Sequence, residues 1–137
     1  MLLAATMLLA ACSSEILEKQ AEQIRQQEEH IAQQRKEIET LLTAQKQQDQ
    51  KRVDCNRAFR DYFEKANAVS DRPQAVQLYR DGLKLCPDDD VAHYELGKLL
   101  AASGRPEEAA KAFAAALKIN PGFVDAKNQL DTIQKTR

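Results

Sequence analysis

Aromatic residues are scarce in this chain, which has no Trp, 4 Phe and 3 Tyr among its 137 residues. So few rings leave little surface on which nucleic acid bases could stack. An excess of positive charge is also lacking, because 20 Lys and Arg are balanced by 21 Asp and Glu. These two shortages argue against nucleic acid as a partner.

Motifs for catalysis, metals and cofactors are missing as well. The sequence contains no nucleophile motif and no Gly-rich phosphate loop. Neither His30 nor His93 has a Cys or carboxylate at the spacing of a metal site. The run from Asp88 to Asp90 lacks the alternating ligands of a calcium loop and is typical of a helix start. We therefore expect a non-enzymatic protein with no catalytic residue, no cofactor and no metal site.

What the chain does contain is a motif that occurs twice, 34 positions apart. The first copy consists of Phe59, Tyr62, Phe63, Ala66, Ala75, Tyr79, Gly82 and Pro87. The second copy consists of His93, Leu96, Gly97, Leu100, Ala109, Phe113, Ala116 and Pro121. A period of about 34 residues with small, aromatic and proline positions in this order predicts an array of helical hairpins.

The second copy resembles the tetratricopeptide repeat (TPR) in Leu96-Gly97, Ala109, Phe113 and Pro121. The first copy is looser, with Tyr62-Phe63 where the family has Leu-Gly. The predicted fold is all-α: a long N-terminal helix or coiled coil, then a two-repeat TPR array with a C-terminal capping helix. We place the TPR domain at 55–137, with repeats at 56–89 and 90–123 and the capping helix at 124–135.

The TPR resemblance implies a protein or peptide ligand, held along a concave groove lined by the first helix of each repeat. By that resemblance the partner-binding residues are Arg57, Arg60, Asn67, Tyr94 and Lys98. Arg and aromatic side chains are common energetic centres of interfaces. Because this set mixes basic and aromatic residues, we expect an acidic or carboxylate-bearing ligand.

The first residues predict a lipid anchor. Residues 1–11 are apolar apart from Thr6, and Leu9-Ala10-Ala11-Cys12 resembles a bacterial lipobox. The resemblance implies a signal peptide at 1–11, a lipidated N-terminus at 12–14 and acyl chains on Cys12. It also implies a bacterial cell envelope protein, anchored by lipid to the outer membrane and facing the periplasm. Because no Lys or Arg precedes Lys19, we expect a start upstream or a misassigned first codon. The alternative is an ordinary apolar helix that happens to meet a cysteine.

Residues 15–54 form a predicted helical spacer between the anchor and the repeats. No Gly or Pro occurs from Glu15 to Arg52, a composition that favours helix. Apolar residues recur every seven positions at Leu17, Ile24, Ile31 and Ile38, with Gln three positions after each of the first three. This pattern indicates a coiled coil with a polar seam, through which the chain would form a homo-oligomer. A lone solvated helix or a partly disordered tether is the alternative.

Two cysteines remain after Cys12. Cys55 precedes the first predicted hairpin and Cys86 ends its second helix. The start of one helix lies near the end of the next in an antiparallel hairpin, so an oxidising compartment would permit a disulfide. Two separate buried thiols are the alternative.

Two functions are consistent with this organisation. The first is a periplasmic adaptor lipoprotein that binds a partner through its repeats. The second is an oligomeric stalk whose coiled coil is the main interaction element. The coiled coil before the repeats is similar to that of the periplasmic cell-division coordinator of the Tol–Pal system. The chain also resembles the pilus-assembly lipoproteins, which are TPR arrays on a lipid anchor. These resemblances imply a role in envelope assembly, cell division or pilus biogenesis.

Overall fold

The computed structural model describes the backbone of residues 2–135 and the side chains of residues 15–135. This part of the chain contains helices and no strand, which confirms the predicted all-α class. The helices are α1 (Leu2–Ala58), a π-helical turn (Phe59–Phe63), α2 (Glu64–Ala68), α3 (Arg72–Leu85), α4 (Asp90–Ala102), α5 (Pro106–Ile119) and α6 (Val124–Lys135). The chain divides into two units, Met1–Lys46 and Gln47–Arg137.

The first unit contains most of α1, and the long N-terminal helix predicted for the chain is confirmed. All its side chains from residue 15 to residue 46 are exposed. Local pairs support the helix, as where Arg25 Nη2 lies 2.6 Å from Glu22 Oε2 one turn away. No helix in the described part of the chain is both long enough and apolar enough to cross a membrane. Self-association through the isoleucine row stays a prediction.

The second unit begins inside α1, at Gln47, whereas the sequence boundary was placed between residues 54 and 55. The last turns of α1 belong to this unit because they contact the segment after α3. Lys51 Nζ lies 3.9 Å from Asp88 Oδ2, for example. The first helix of the first predicted repeat is therefore no separate element, since α1 continues through the π-helical turn into α2.

Capping residues set the helix starts in this unit. Asp71 Oδ2 accepts the N–H of Gln74 at 2.9 Å at the start of α3. Asp89 Oδ1 accepts the N–H of Ala92 at 2.8 Å at the start of α4. A side-chain acceptor at this position satisfies an N–H group that the helix itself leaves free. The helix start expected at Asp88–Asp90 is thus present in the structure, and Asp71 has the same capping role at α3.

The helix ends follow proline and glycine positions. Helix α3 ends at Leu85, before Pro87, and α5 begins at Pro106. Between α4 and α5, Gly104 has φ of 71°, a left-handed conformation that a side chain would disfavour. These turns fold α3, α4, α5 and α6 back on one another as helical hairpins.

Each hairpin packs an aromatic ring against a glycine. A Cβ atom added to Gly97 of α4 would lie 2.8 Å from Cδ1 of Phe113, a ring on α5 with no exposed surface. A Cβ added to Gly82 of α3 would likewise lie 2.8 Å from Cδ1 of Phe63 in the π-helical turn. In the first hairpin the ring precedes the glycine in the chain, whereas in the second hairpin the glycine is on the first helix and the ring is on the second. This exchange explains how the first hairpin tolerates Phe63 at the position where the second has glycine.

Candidate functional site

A groove of about 690 Å³ opens on the second unit, between the helix that runs from α1 to α2 and helix α4. Its walls also include residues of α3 and of the segment that joins α3 to α4. The lining residues are Cys55, Phe59, Phe63, Asn67, Tyr79, Cys86, Asp88, Asp89, Asp90, Val91, Ala92 and Glu95. The groove is large enough to receive one or two side chains of another molecule.

Aromatic rings form the floor of the groove. Phe63 and Tyr79 are almost fully buried and stack with their ring centroids 5.5 Å apart. The Tyr79 hydroxyl donates a hydrogen bond to Asn67 Oδ1 at 2.7 Å, which fixes the tyrosine ring. The floor is therefore a rigid apolar surface whose buried polar group is already satisfied.

Two apolar side chains border the groove and face solvent. Phe59, in the π-helical turn, and Val91, in α4, are each 55% exposed. Exposure of a large apolar side chain to water is unfavourable. Contact with another molecule would remove the side chain from water. Phe59 and Val91 are thus the natural anchors for a ligand.

A disulfide closes one end of the groove. Cys55 and Cys86 are bonded, with their Cα atoms 4.6 Å apart, and both line the groove. The predicted disulfide is thus present in the structure. It joins the end of α1 to the end of α3 and brings the segment Asp88–Asp90 beside the groove.

The π-helical turn keeps four lining residues on one face. Cys55, Phe59, Phe63 and Asn67 follow one another at intervals of four, and all line the groove. In a regular α-helix residues at this spacing drift around the axis, because one turn takes about 3.6 residues. The wider π-helical turn, in which the N–H of Glu64 bonds to the carbonyl of Phe59, compensates for the drift.

The rim of the groove is acidic. Its carboxylates are Asp88, Asp89, Asp90 and Glu95, and none of the described residues that line the groove is Lys or Arg. The negative potential reaches the floor. Burial raises the pKa of Tyr79 to about 12, and the charges of Glu95 and Asp89 add to the rise against the opposing hydrogen bond with Asn67.

The structure places one of the five sequence-predicted binding residues, Asn67, in the groove. Arg57 Nη2 instead lies 3.2 Å from Asp54 on its own helix. Arg60 Nε lies 3.2 Å from the neighbouring Asp61. The TPR resemblance alone names Arg57 and Arg60, and neither residue lines the groove.

The other two predicted residues, Tyr94 and Lys98, lie on a different part of α4. The Tyr94 ring packs against Phe113 and Phe123, with centroids 5.7 Å and 4.9 Å away. Lys98 Nζ lies 5.2 Å from the centre of the Tyr94 ring and donates to Glu95 Oε2 at 2.8 Å. Tyr94 therefore contributes to packing against α5 and against Phe123, which precedes α6. The five residues do not form a single set around the groove.

Sequence reasoning missed the two apolar anchors and the acidic rim. The sequence signal for the anchors is the four-residue spacing of Cys55, Phe59, Phe63 and Asn67. Residues at this spacing stay on one face of a helix only where the helix is locally wider than an α-helix. The acidic rim was visible as Asp88–Asp90, but these residues were assigned to capping alone.

Comparison with known proteins places a tetratricopeptide repeat at residues 91–123. The chain is similar to human protein arginine N-methyltransferase 9, with 38% identity over 66 residues, 48% of this chain and 8% of that protein. It is also similar to the peroxisomal targeting signal receptor of Candida glabrata, with 38% identity over 65 residues, 47% of this chain and 11% of that protein. The chain thus matches only a small part of either relative. The repeat itself implies protein–protein interaction, while the first predicted repeat, 56–89, lies outside the matched family segment.

Proposed function

We propose that this protein is a lipid-anchored adaptor of the bacterial cell envelope, which holds a partner protein or peptide in the groove between α1–α2 and α4. The observation that carries the proposal is the groove itself, with exposed Phe59 and Val91 above an apolar floor. Its α4 wall begins the matched repeat, and repeats of this kind bind proteins.

The proposed location rests on the first residues and on the disulfide. Cys12 follows an apolar segment and precedes polar sequence, as in a lipobox. A disulfide such as Cys55–Cys86 persists in an oxidising compartment, and the periplasm is one. We therefore propose a non-enzymatic protein attached to the outer membrane and facing the periplasm. Envelope assembly, cell division and pilus biogenesis are the processes in which such an adaptor would act.

The adaptor proposal is tested by capture of the partner from envelope extracts after crosslinking, with the full chain as bait. The double variant Phe59→Ser, Val91→Ser removes both apolar anchors and should lose most of the captured partner. A matched control is Val53→Ser, Val124→Ser, because these valines are similarly exposed but do not line the groove. Full capture by the groove variant would rule the proposal out, provided that circular dichroism shows unchanged helix content.

An oligomeric stalk is the second candidate, favoured by the apolar row on α1. Ile24, Ile31 and Ile38 are each about half exposed and recur every seven residues. Such a row on an isolated helix is typical of a coiled-coil seam. If the stalk is the main interaction element, Ile24→Ser with Ile31→Ser should abolish self-association and capture together, and the groove variant should affect neither.

A further inference from the structure

We propose that the groove binds a cationic segment of a partner protein in which one aliphatic or aromatic side chain is flanked by Lys or Arg. This inference rests on the proposed function and reverses the acidic ligand expected from the sequence. It follows from two properties of one surface, an apolar centre and an acidic rim.

The acidic rim retains net negative charge after its own partners are counted. Asp89 is bonded by the N–H of Ala92, and Asp90 Oδ2 accepts from the Asn120 side chain at 2.7 Å. Both of these donors are neutral, so the charges of Asp89 and Asp90 are not offset by them. A cation entering the groove would gain attraction from both carboxylates.

The other two carboxylates have cationic neighbours, one of them weak. Glu95 accepts from Lys98 Nζ at 2.8 Å and at 3.0 Å, which neutralises it. Asp88 lies 3.9 Å from Lys51, and both side chains are about three-quarters exposed. An exposed pair at this distance contributes little and exchanges readily for another cation. Asp88 is therefore available to a ligand.

The apolar centre of the groove determines the second feature of the ligand, which is its single aliphatic or aromatic side chain. Phe59 and Val91 border a floor made by Phe63 and Tyr79. A ligand side chain placed between Phe59 and Val91 would therefore be shielded from water on several sides. A purely basic segment would leave the two anchors exposed. An acidic segment would face the charges of Asp88, Asp89 and Asp90, with no Lys or Arg among the described lining residues. A cationic segment with one apolar residue satisfies both parts.

The test uses labelled nine-residue peptides and fluorescence anisotropy with the full chain. The probe has the sequence Gly-Ser-Lys-Lys-Phe-Lys-Lys-Ser-Gly. One comparison peptide replaces the four lysines by glutamates, and the other replaces the phenylalanine by serine. We expect saturable binding of the probe that strengthens as salt falls, and binding at least about tenfold weaker for either comparison peptide.

Variants locate the binding. Asp88→Asn with Asp90→Asn should weaken probe binding about fivefold, because it removes two rim charges that no close cation neutralises. Asp125→Asn with Asp131→Asn, the same charge change on α6, should stay within about twofold. Phe59→Ser should weaken probe binding as strongly as does the replacement of the probe's phenylalanine by serine.

Three results would overturn the inference. The first is no saturable binding of the probe, and the second is probe binding that neither Phe59→Ser nor the rim variant changes. The third is tighter binding of the glutamate peptide than of the probe. If that tighter binding is lost in Phe59→Ser, the groove still binds ligand and only the charge inference fails. The proposed function fails separately, if partner capture ignores the groove variant.

Discussion

Reduction of the Cys55–Cys86 disulfide should destabilise the second unit strongly. The bond closes a loop between cysteines 31 positions apart. In the chain-entropy relation, a loop of this length lowers the entropy of the unfolded chain by about 12 cal/mol/K, or about 3.7 kcal/mol at 25 °C. Small domains are stable by only about 5–15 kcal/mol, so this is a large share of the free energy of unfolding.

Urea unfolding followed by tyrosine fluorescence measures this effect. The three tyrosines of the chain, Tyr62, Tyr79 and Tyr94, all lie in the second unit, so the exposed helix of the first unit does not contribute. With a slope of about 1–1.5 kcal/mol/M, reductant should lower the midpoint by about 2.5–4 M. The double variant Cys55→Ser, Cys86→Ser should show no further change with reductant. Oxidised and reduced midpoints within about 0.5 M would refute the loop-closure reasoning.

Three further predictions test packing, charge and anchoring. Gly97→Ala should lower the free energy of unfolding by about 1–3 kcal/mol in the same urea assay, because the new methyl group meets the Phe113 ring. The control Gly122→Ala adds a methyl group with only ordinary contacts and should change the free energy of unfolding by less than about 0.5 kcal/mol. Tyr79 has a folded-state pKa of about 12 against an ordinary 10.0. Its neutral phenol therefore adds to the free energy of unfolding below pH 10, and this contribution is lost as pH rises through 12. Between pH 10 and pH 12 the free energy of unfolding should fall by about 2 kcal/mol more in the wild type than in Tyr79→Phe. Cys12→Ala should lose incorporated labelled palmitate and leave the membrane fraction, and a variant that keeps both would exclude the lipid anchor.

The helices were predictable because local chemistry determines them. Asp71 and Asp89 cap helices, and Pro106 starts one, for reasons that operate within a few residues. The pairing of Cys55 with Cys86 followed from the antiparallel geometry of a hairpin. Such features need no knowledge of distant packing.

Which residues meet at the groove could not be predicted in the same way, because it depends on packing between helices. Most of the binding residues expected from the TPR resemblance lie outside the groove, whereas Phe59, in the π-helical turn, lines it, and Arg60 pairs with Asp61. Phe63, the last residue of that turn, packs against Gly82 of α3, a residue distant in sequence. The described residues that line the groove include carboxylates and no Lys or Arg, so the ligand charge they favour is opposite to the one expected.

Site-specific photocrosslinking in living cells would show whether this groove holds the partner. A photoreactive residue replaces Val91 in the groove, and in separate strains it replaces Lys111 on α5 or Gln26 on α1, both exposed and outside the groove. We expect a discrete crosslinked partner from position 91 that disappears when Phe59→Ser is added. We expect no such product from position 111 or position 26. The same product from position 26 and none from position 91 would show that the partner binds α1 and not the groove.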